Sequence, residues 1–144
     1  MIQARLIVLA LSVSLLACAA PNASESLRAS VGTYNQSLRW KRYNTAARFL
    51  TPDKRAEFLE QYLSAEDDLH VQSVEVRSVN TYERDGDRVA DVVLVAKAYL
   101  LPSTVVKKTT IVQTWKHQNG GWELIEPGTS LIAKKPQDAR SKPL

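Results

Sequence analysis

The run from Val89 to Leu101 is apolar on both of the faces that a strand presents: Ala90, Val92, Leu94, Ala96, Ala98 and Leu100 on one, Val89, Val93, Val95 and Tyr99 on the other. Successive strand side chains alternate across a sheet, so this run reads as a central strand covered on both sides for much of its length. Asp85-Gly86 stands just before it, and a type I′ hairpin turn, which needs positive φ at both central residues, favours that dipeptide. An antiparallel neighbour therefore precedes the central strand. It spans His70 to Tyr82, where Val71, then Val74 and Val76, then Val79 slip phase and predict a bulge. Pro102-Ser103 turns the chain into a further long strand, Val105 to His117, with Ile111 and Trp115 on one face. Asn119-Gly120-Gly121 closes a second hairpin onto Trp122 to Glu126, and Pro127-Gly128 ends the sheet.

Ahead of the sheet the apolar period is helical. Ser24 is the expected cap before Glu25, and Leu27, Val31, Tyr34 and Leu38 recur on one face while Arg28, Asn35 and Arg39 face away. Around Trp40 to Tyr43 the phase shifts into a short second helix that buries Tyr43, Ala46, Ala47 and Leu50. Thr51-Pro52-Asp53 then supplies a cap, a proline at the first helical position and an acid in the positive first turn of a third helix. That helix presents Phe58, Leu59, Tyr62 and Leu63 inward and ends in a polar loop, Ser64 to Asp68. Helices followed by an antiparallel meander predict an α+β domain in which N-terminal helices pack on a curved sheet.

The N-terminus carries an address. Arg5 precedes an apolar run from Leu6 to Leu16 that is shorter than the ~20 residues of a membrane-spanning helix and has the build of an export signal. Leu15-Leu16-Ala17-Cys18, which ends in the only cysteine, resembles the lipobox of bacterial lipoproteins. The resemblance implies diacylglyceryl transfer to the Cys18 sulfur, cleavage after Ala17 and acylation of the new amino terminus. A thiolate has the nucleophilicity that thioether formation needs, and several acyl chains hold a protein on a bilayer where one is marginal. An ordinary secretory signal with an incidental cysteine is the plainer alternative. Ala19 in place of an aspartate implies, by the sorting rule of Gram-negative lipoproteins, the outer membrane facing the periplasm. The expected layout is a cleaved signal over 1–17, an acylated anchor and spacer over 18–24, the α+β domain over 25–132 and a basic, disordered tail over 133–144.

Charge narrows the partners. The chain of 144 residues carries a net +4, Arg5 leaves with the signal, and Lys134, Lys135, Arg140 and Lys142 against Asp138 hold the remaining +3 in the tail. The folded body is near neutral, which argues against nucleic acid, since that partner needs a basic face on the domain. The tail suits anionic lipid or cell-wall polymer, or simple solvation. With Cys18 acylated there is no disulfide, and stability rests on packing.

The strand pair Thr109 to Ile125, with Trp115, the Asn119-Gly120-Gly121 turn and Trp122-Glu123-Leu124-Ile125, resembles the closing hairpin of the nuclear transport factor 2-like superfamily, and the resemblance extends from Glu25 to about Glu126. A cystatin-like sheet on one helix is the competing architecture, disfavoured by the division of the helices at Thr51-Pro52. The resemblance implies a cone with a pocket at its open end. It spans isomerases, cyclases, epoxide hydrolases and dehydratases as well as non-catalytic binding and dimerising domains, so the fold does not choose the function. Enzymatic members place Asp/His or Asp/Arg/Asp sets inside the cone. The candidates here are Asp91, on the face of Val93 and Val95, and His70, at the helix-to-strand junction, with His117 near the second turn; each also reads as a surface residue. Two histidines without carboxylates at ligand spacing argue against a metal, and neither a phosphate-cradling glycine loop nor a Gly-x-Ser-x-Gly elbow is present, so no cofactor is expected. Tyr34, Tyr43, Tyr62, Tyr99, Trp115 and Trp122 are the candidate lining of a pocket for a small apolar ligand, or else core packing. The expected protein is a membrane-anchored, non-catalytic binding module with a small apolar ligand, an envelope protein or a second copy as partner; a small-molecule isomerase, cyclase or hydrolase is the alternative.

Overall fold

A computed structural model of the chain describes residues 22–132. The apolar run, Cys18 and the basic tail lie outside the described residues. Within them the order is α1 (Ala23–Arg39), α2 (Tyr43–Ala47), α3 (Pro52–Ser64), β1 (Leu69–Arg84), β2 (Asp87–Leu100), β3 (Lys107–Gln118) and β4 (Gly121–Glu126). The strands form one antiparallel meander in the order β1-β2-β3-β4.

Local chemistry sets the boundaries. The cap of α1 is Asn22 rather than Ser24: its Oδ1 accepts from the Glu25 N–H at 2.9 Å and from the Ser24 hydroxyl at 2.7 Å. Pro52 opens α3 from an extended Thr51. In both hairpins two consecutive residues take positive φ, Asp85 and Gly86 at 55° and 81°, Asn119 and Gly120 at 50° and 76°, as type I′ turns require. Register shifts at Gln72 and Arg77 give β1 two bulges where its valines slip phase.

One face of the sheet carries the core. Ala90, Val92, Leu94 and Ala96 of β2 are fully buried, and Ile111, Trp115 and Leu124 continue that face across β3 and β4. The helices pack onto it through Leu27, Val31, Tyr34, Leu38, Tyr43 and Phe58. Two ties fix the helical layer to β4: the Leu124 N–H donates to the Phe49 carbonyl at 2.6 Å, and the Trp122 indole donates to the Ala23 carbonyl at 2.9 Å and the Ser26 hydroxyl at 3.1 Å.

Three further expectations need correction. Among the described residues no second layer covers the outer face of β2. Val89 and Val95 are buried there beside cross-strand partners Tyr82 and Lys116, and Glu75 and Thr110, while Val93 is half-buried. Asn35 is buried rather than outward-facing. Leu63 is 46% exposed, because it sits about 100° round the helix from the buried Tyr62.

Candidate functional site

A cleft opens between the helices and the sheet. It has a volume of about 270 Å³ and lies between α3, the C-terminal half of α1 and the segment after β4. Tyr34, Leu38, Phe58 and Tyr62 form its apolar wall, Gln113 its floor, and Lys54, Glu57 and Gln61 its rim. Pro127 to Ser130 closes the remaining side.

Each group is placed by the fold. Phe58 and Tyr62 stand four residues apart on α3, so they share one face, and their rings lie 4.5 Å apart between centroids. Tyr34 projects from α1 between Phe58, at 6.3 Å, and Trp115, at 5.9 Å and edge-on. Phe49 meets Trp115 from a second side at 5.9 Å. These geometries are the offset and edge-to-face arrangements that aromatic quadrupoles favour. Lys54 reaches across the rim to donate to the Ile125 carbonyl, which holds the start of α3 against the end of β4.

Beneath the cleft runs a buried amide chain. The Trp115 indole donates to Gln113 Oε1 at 3.2 Å, Gln113 Nε2 donates to Asn35 Oδ1 at 3.1 Å, and Asn35 Nδ2 donates to the Val31 carbonyl at 2.8 Å. A buried polar group is tolerated when its partners are present, and here each amide has one. That explains why Asn35 points inward. The interior of the cone thus holds neutral amides and rings.

The phenols beside the cleft are held protonated. Burial pushes the Tyr34 hydroxyl up, with nearby Tyr62 adding to the effect. Burial raises Tyr62 as well, opposed in part by the Ser130 hydroxyl and the Leu131 backbone. Burial first, then the charge of Glu66 and the proximity of Tyr62, pushes Tyr43 from 10.0 up to about 12. In the unfolded chain these phenols ionise near pH ~10. Their contribution to stability is therefore complete below that value and is lost as pH rises toward about 12. Thermal melts from pH ~8 to ~12 should show stability falling only above pH ~10. Tyr43 also has a buried hydroxyl with no hydrogen-bond partner among the described residues. Tyr43→Phe removes an unmade bond, so it should stabilise the domain by roughly 0.5–1 kcal/mol and move the alkaline loss upward; a destabilised Tyr43→Phe would show that the hydroxyl is paired.

The sequence-predicted residues divide. Tyr34 and Tyr62 line the cleft. Tyr43 packs behind it on Tyr62, at 5.4 Å. Trp115 is wholly buried under the floor, and Trp122 is engaged at the start of α1. Tyr99 is on the outer face, where its ring stacks on His70 at 4.7 Å. Asp91 is also on the outer face: it accepts from the Thr114 hydroxyl at 2.9 Å and helps to raise the Tyr82 phenol after desolvation. His117 lies edge-on against Trp122. Neither Asp91 nor a histidine lines the cleft. Cys18 lies outside the described residues. Sequence reasoning missed Gln113, Lys54, Glu57, Gln61 and the closing segment. The Thr51-Pro52 helix start placed Lys54 and Glu57 on α3, but nothing local ties them to residues beyond Glu126. Among the described residues no group of three or more His, Cys, Asp or Glu side chains is disposed to hold a metal ion, and no helix is long and apolar enough to cross a membrane.

No protein-family model and no curated protein matches the chain. Solved structures do. A SEC-C motif containing protein from Rhodopseudomonas palustris aligns at TM-score 0.57 with 13% identity, covering 74% of this chain and 80% of that one. A nuclear transport factor 2-like protein from Cytophaga hutchinsonii aligns at TM-score 0.57 with 13% identity, over 73% of this chain and 94% of that one. At such identity the likeness concerns the backbone arrangement alone. Helices on a four-stranded antiparallel sheet, matched over nearly the whole of that second structure, give this chain an α+β fold of the nuclear transport factor 2-like kind.

Proposed function

We propose that the chain is a cell-envelope lipoprotein, anchored through acylated Cys18, whose domain is a non-catalytic binding module that holds a small, largely apolar molecule in the cleft of α3. The observation that carries this reading is the chemistry of the cleft. Its walls are aromatic and aliphatic, its floor is the amide of Gln113, and its one carboxylate among the described residues, Glu57, is exposed at the rim. General acid–base work near neutral pH needs a group whose pKa is brought toward that pH, whereas burial moves the phenols of Tyr34 and Tyr62 away from it. Neutral phenols and an amide instead supply directional hydrogen bonds to a ligand edge while the rings take its apolar face. The lipobox resemblance supports the anchor, and Ala19 the outer membrane.

The test is native mass spectrometry of the acylated protein extracted gently from its own membrane. A small molecule retained by the wild type and absent from Gln61→Trp, which fills the cleft from the exposed rim, is the expected result. A bare wild-type chain whose spectrum matches that of Gln61→Trp contradicts it. A retained molecule that is converted on incubation contradicts the non-catalytic part and leaves the isomerase, cyclase or hydrolase alternative. The same spectra read the anchor as the acyl mass on Cys18, which Cys18→Ser removes.

A further inference from the structure

The β2–β3 turn joins two features that a soluble surface gains nothing by combining. Leu101, Val105 and Val106 are exposed by 36%, 67% and 41%, on one short loop between strands. Scattered apolar residues on a surface are ordinary; these three share a single turn, and lysines surround it. Lys97 of β2 and Lys108 of β3 are direct cross-strand partners on the outer face, and Lys107, opposite Ala98, projects on the other side of the sheet. All three are exposed, and among the described residues none is in an ion pair. Like charges directly opposite in a sheet destabilise it, so the Lys97–Lys108 pair is a cost that an anion would remove. The acidic turn Glu66 to Asp68 flanks the loop on the β1 side, where the Asp68 carbonyl accepts from the Leu101 N–H at 3.0 Å. Lys107 and Lys108 stand across β2 from it, and Lys97 lies on β2 between them.

We propose that this end of the domain docks on an anionic lipid bilayer, with Leu101, Val105 and Val106 entering the interface and Lys97, Lys107 and Lys108 meeting lipid phosphates. Charge complementarity selects an anionic surface, and the exposed aliphatic tip selects a bilayer over an acidic polymer, which offers valine nothing. Two backbone donors of the loop are already satisfied, Leu101 by Asp68 and Val105 by the Ser103 hydroxyl at 3.3 Å, which lowers the cost of bringing the loop to the membrane. Beside it a crevice of about 160 Å³, lined by Tyr99, Ser103, Val105, Lys107 and Thr109 among others, offers hydroxyls and an ammonium to a headgroup. After Ile132 the chain continues into Lys134 and Lys135, and Leu131 lines the same crevice. The loop is at the opposite end of β2 from the Asp85-Gly86 hairpin, and the proposed contact does not rest on acylation of Cys18.

The test uses residues 19–144, which retain every core residue and lack the apolar N-terminal run. With Cys18 removed, Val105→Cys provides one thiol for an environment-sensitive fluorophore. Vesicles of phosphatidylcholine alone are compared with vesicles containing phosphatidylglycerol. The expected result is a blue shift only with the anionic vesicles, none for a label at Asn119→Cys, and partitioning weakened about fivefold for each lysine neutralised in Lys97→Gln/Lys108→Gln. Binding without a shift at Val105→Cys would mean that an anionic surface is met without insertion and overturns the proposal. Unchanged binding by Lys97→Gln/Lys108→Gln would assign it to the basic tail and overturns it too, as does no binding at all.

Discussion

Trp115→Ala is expected to cost about 3–5 kcal/mol, the cost of truncating a fully buried aromatic residue, out of the roughly 5–15 kcal/mol that hold a domain of this size folded. The indole has no exposed surface and takes the edges of both Tyr34 and Phe49. Its N–H is also the first link of the amide chain through Gln113 to Asn35. Truncation removes packing on two sides and the donor that orients Gln113 on the cleft floor. Trp115→Phe separates the two effects, because it keeps most of the ring packing and removes the donor; its cost should be nearer the ~1–3 kcal/mol of a buried acceptor left unpaired. Chemical denaturation of the three proteins measures both. A loss below ~1 kcal/mol for Trp115→Ala would mean that the core is not centred on this residue.

Gly128→Ala is expected to destabilise by about 2–5 kcal/mol, combining the left-handed backbone penalty with overpacking. Gly128 has φ 76°, and a Cβ there would stand 2.3 Å from the Val112 carbonyl oxygen and 2.9 Å from Ile111 Cγ2. The first obstacle is backbone, which has no rotamer to move. The segment must lift from β3, and since Pro127 to Ser130 forms one side of the cleft, the cleft opens with it. Gly86 is the internal comparison. Its φ is 81° but its Cβ would meet open space, so Gly86→Ala should cost only the ~1–2 kcal/mol backbone penalty. Hydrogen exchange should rise over 127–132 in Gly128→Ala and stay at wild-type rates there in Gly86→Ala. Equal effects of the two substitutions would show that the segment does not press on β3.

The parts legible in the sequence were those whose cause is local. Asp85-Gly86 and Asn119-Gly120 need only their own dihedrals to make type I′ turns, and Pro52 needs only its ring to start α3. The valines of β1 signalled a bulge by breaking their own period, where the strand has two. The even face of β2 was readable because its alanines, valine and leucine are buried as a set. What depended on distant partners was not readable. Asn35 reads as a surface residue until Gln113, 78 positions later, supplies its partner. The odd face of β2 reads as covered by another layer, whereas cross-strand neighbours bury Val89 and Val95. Choosing Asn22 over Ser24 as the cap turns on which of two good cap formers reaches the Glu25 N–H.

The same limit applies to the site. Aromatic residues were visible as a set, but only the crossing of α1, α3 and the segment after β4 sorts Tyr34 and Tyr62, at the cleft, from Trp115 and Trp122, under it or beside it. Asp91 and His70 drew notice because carboxylates and imidazoles are what catalysis employs. Their placement on the outer face, against Thr114 and Tyr99, moves the interest to a cleft whose polar groups are amide, phenol and rim charge.

A crystal structure of the acylated protein, purified from its own membrane without denaturant, tests the central proposal most directly. The account predicts continuous density for a small molecule against Tyr34, Phe58 and Tyr62, with a polar atom within hydrogen-bonding distance of Gln113 or a phenol. A cleft holding only water, in protein whose Cys18 carries its acyl chains, would contradict it.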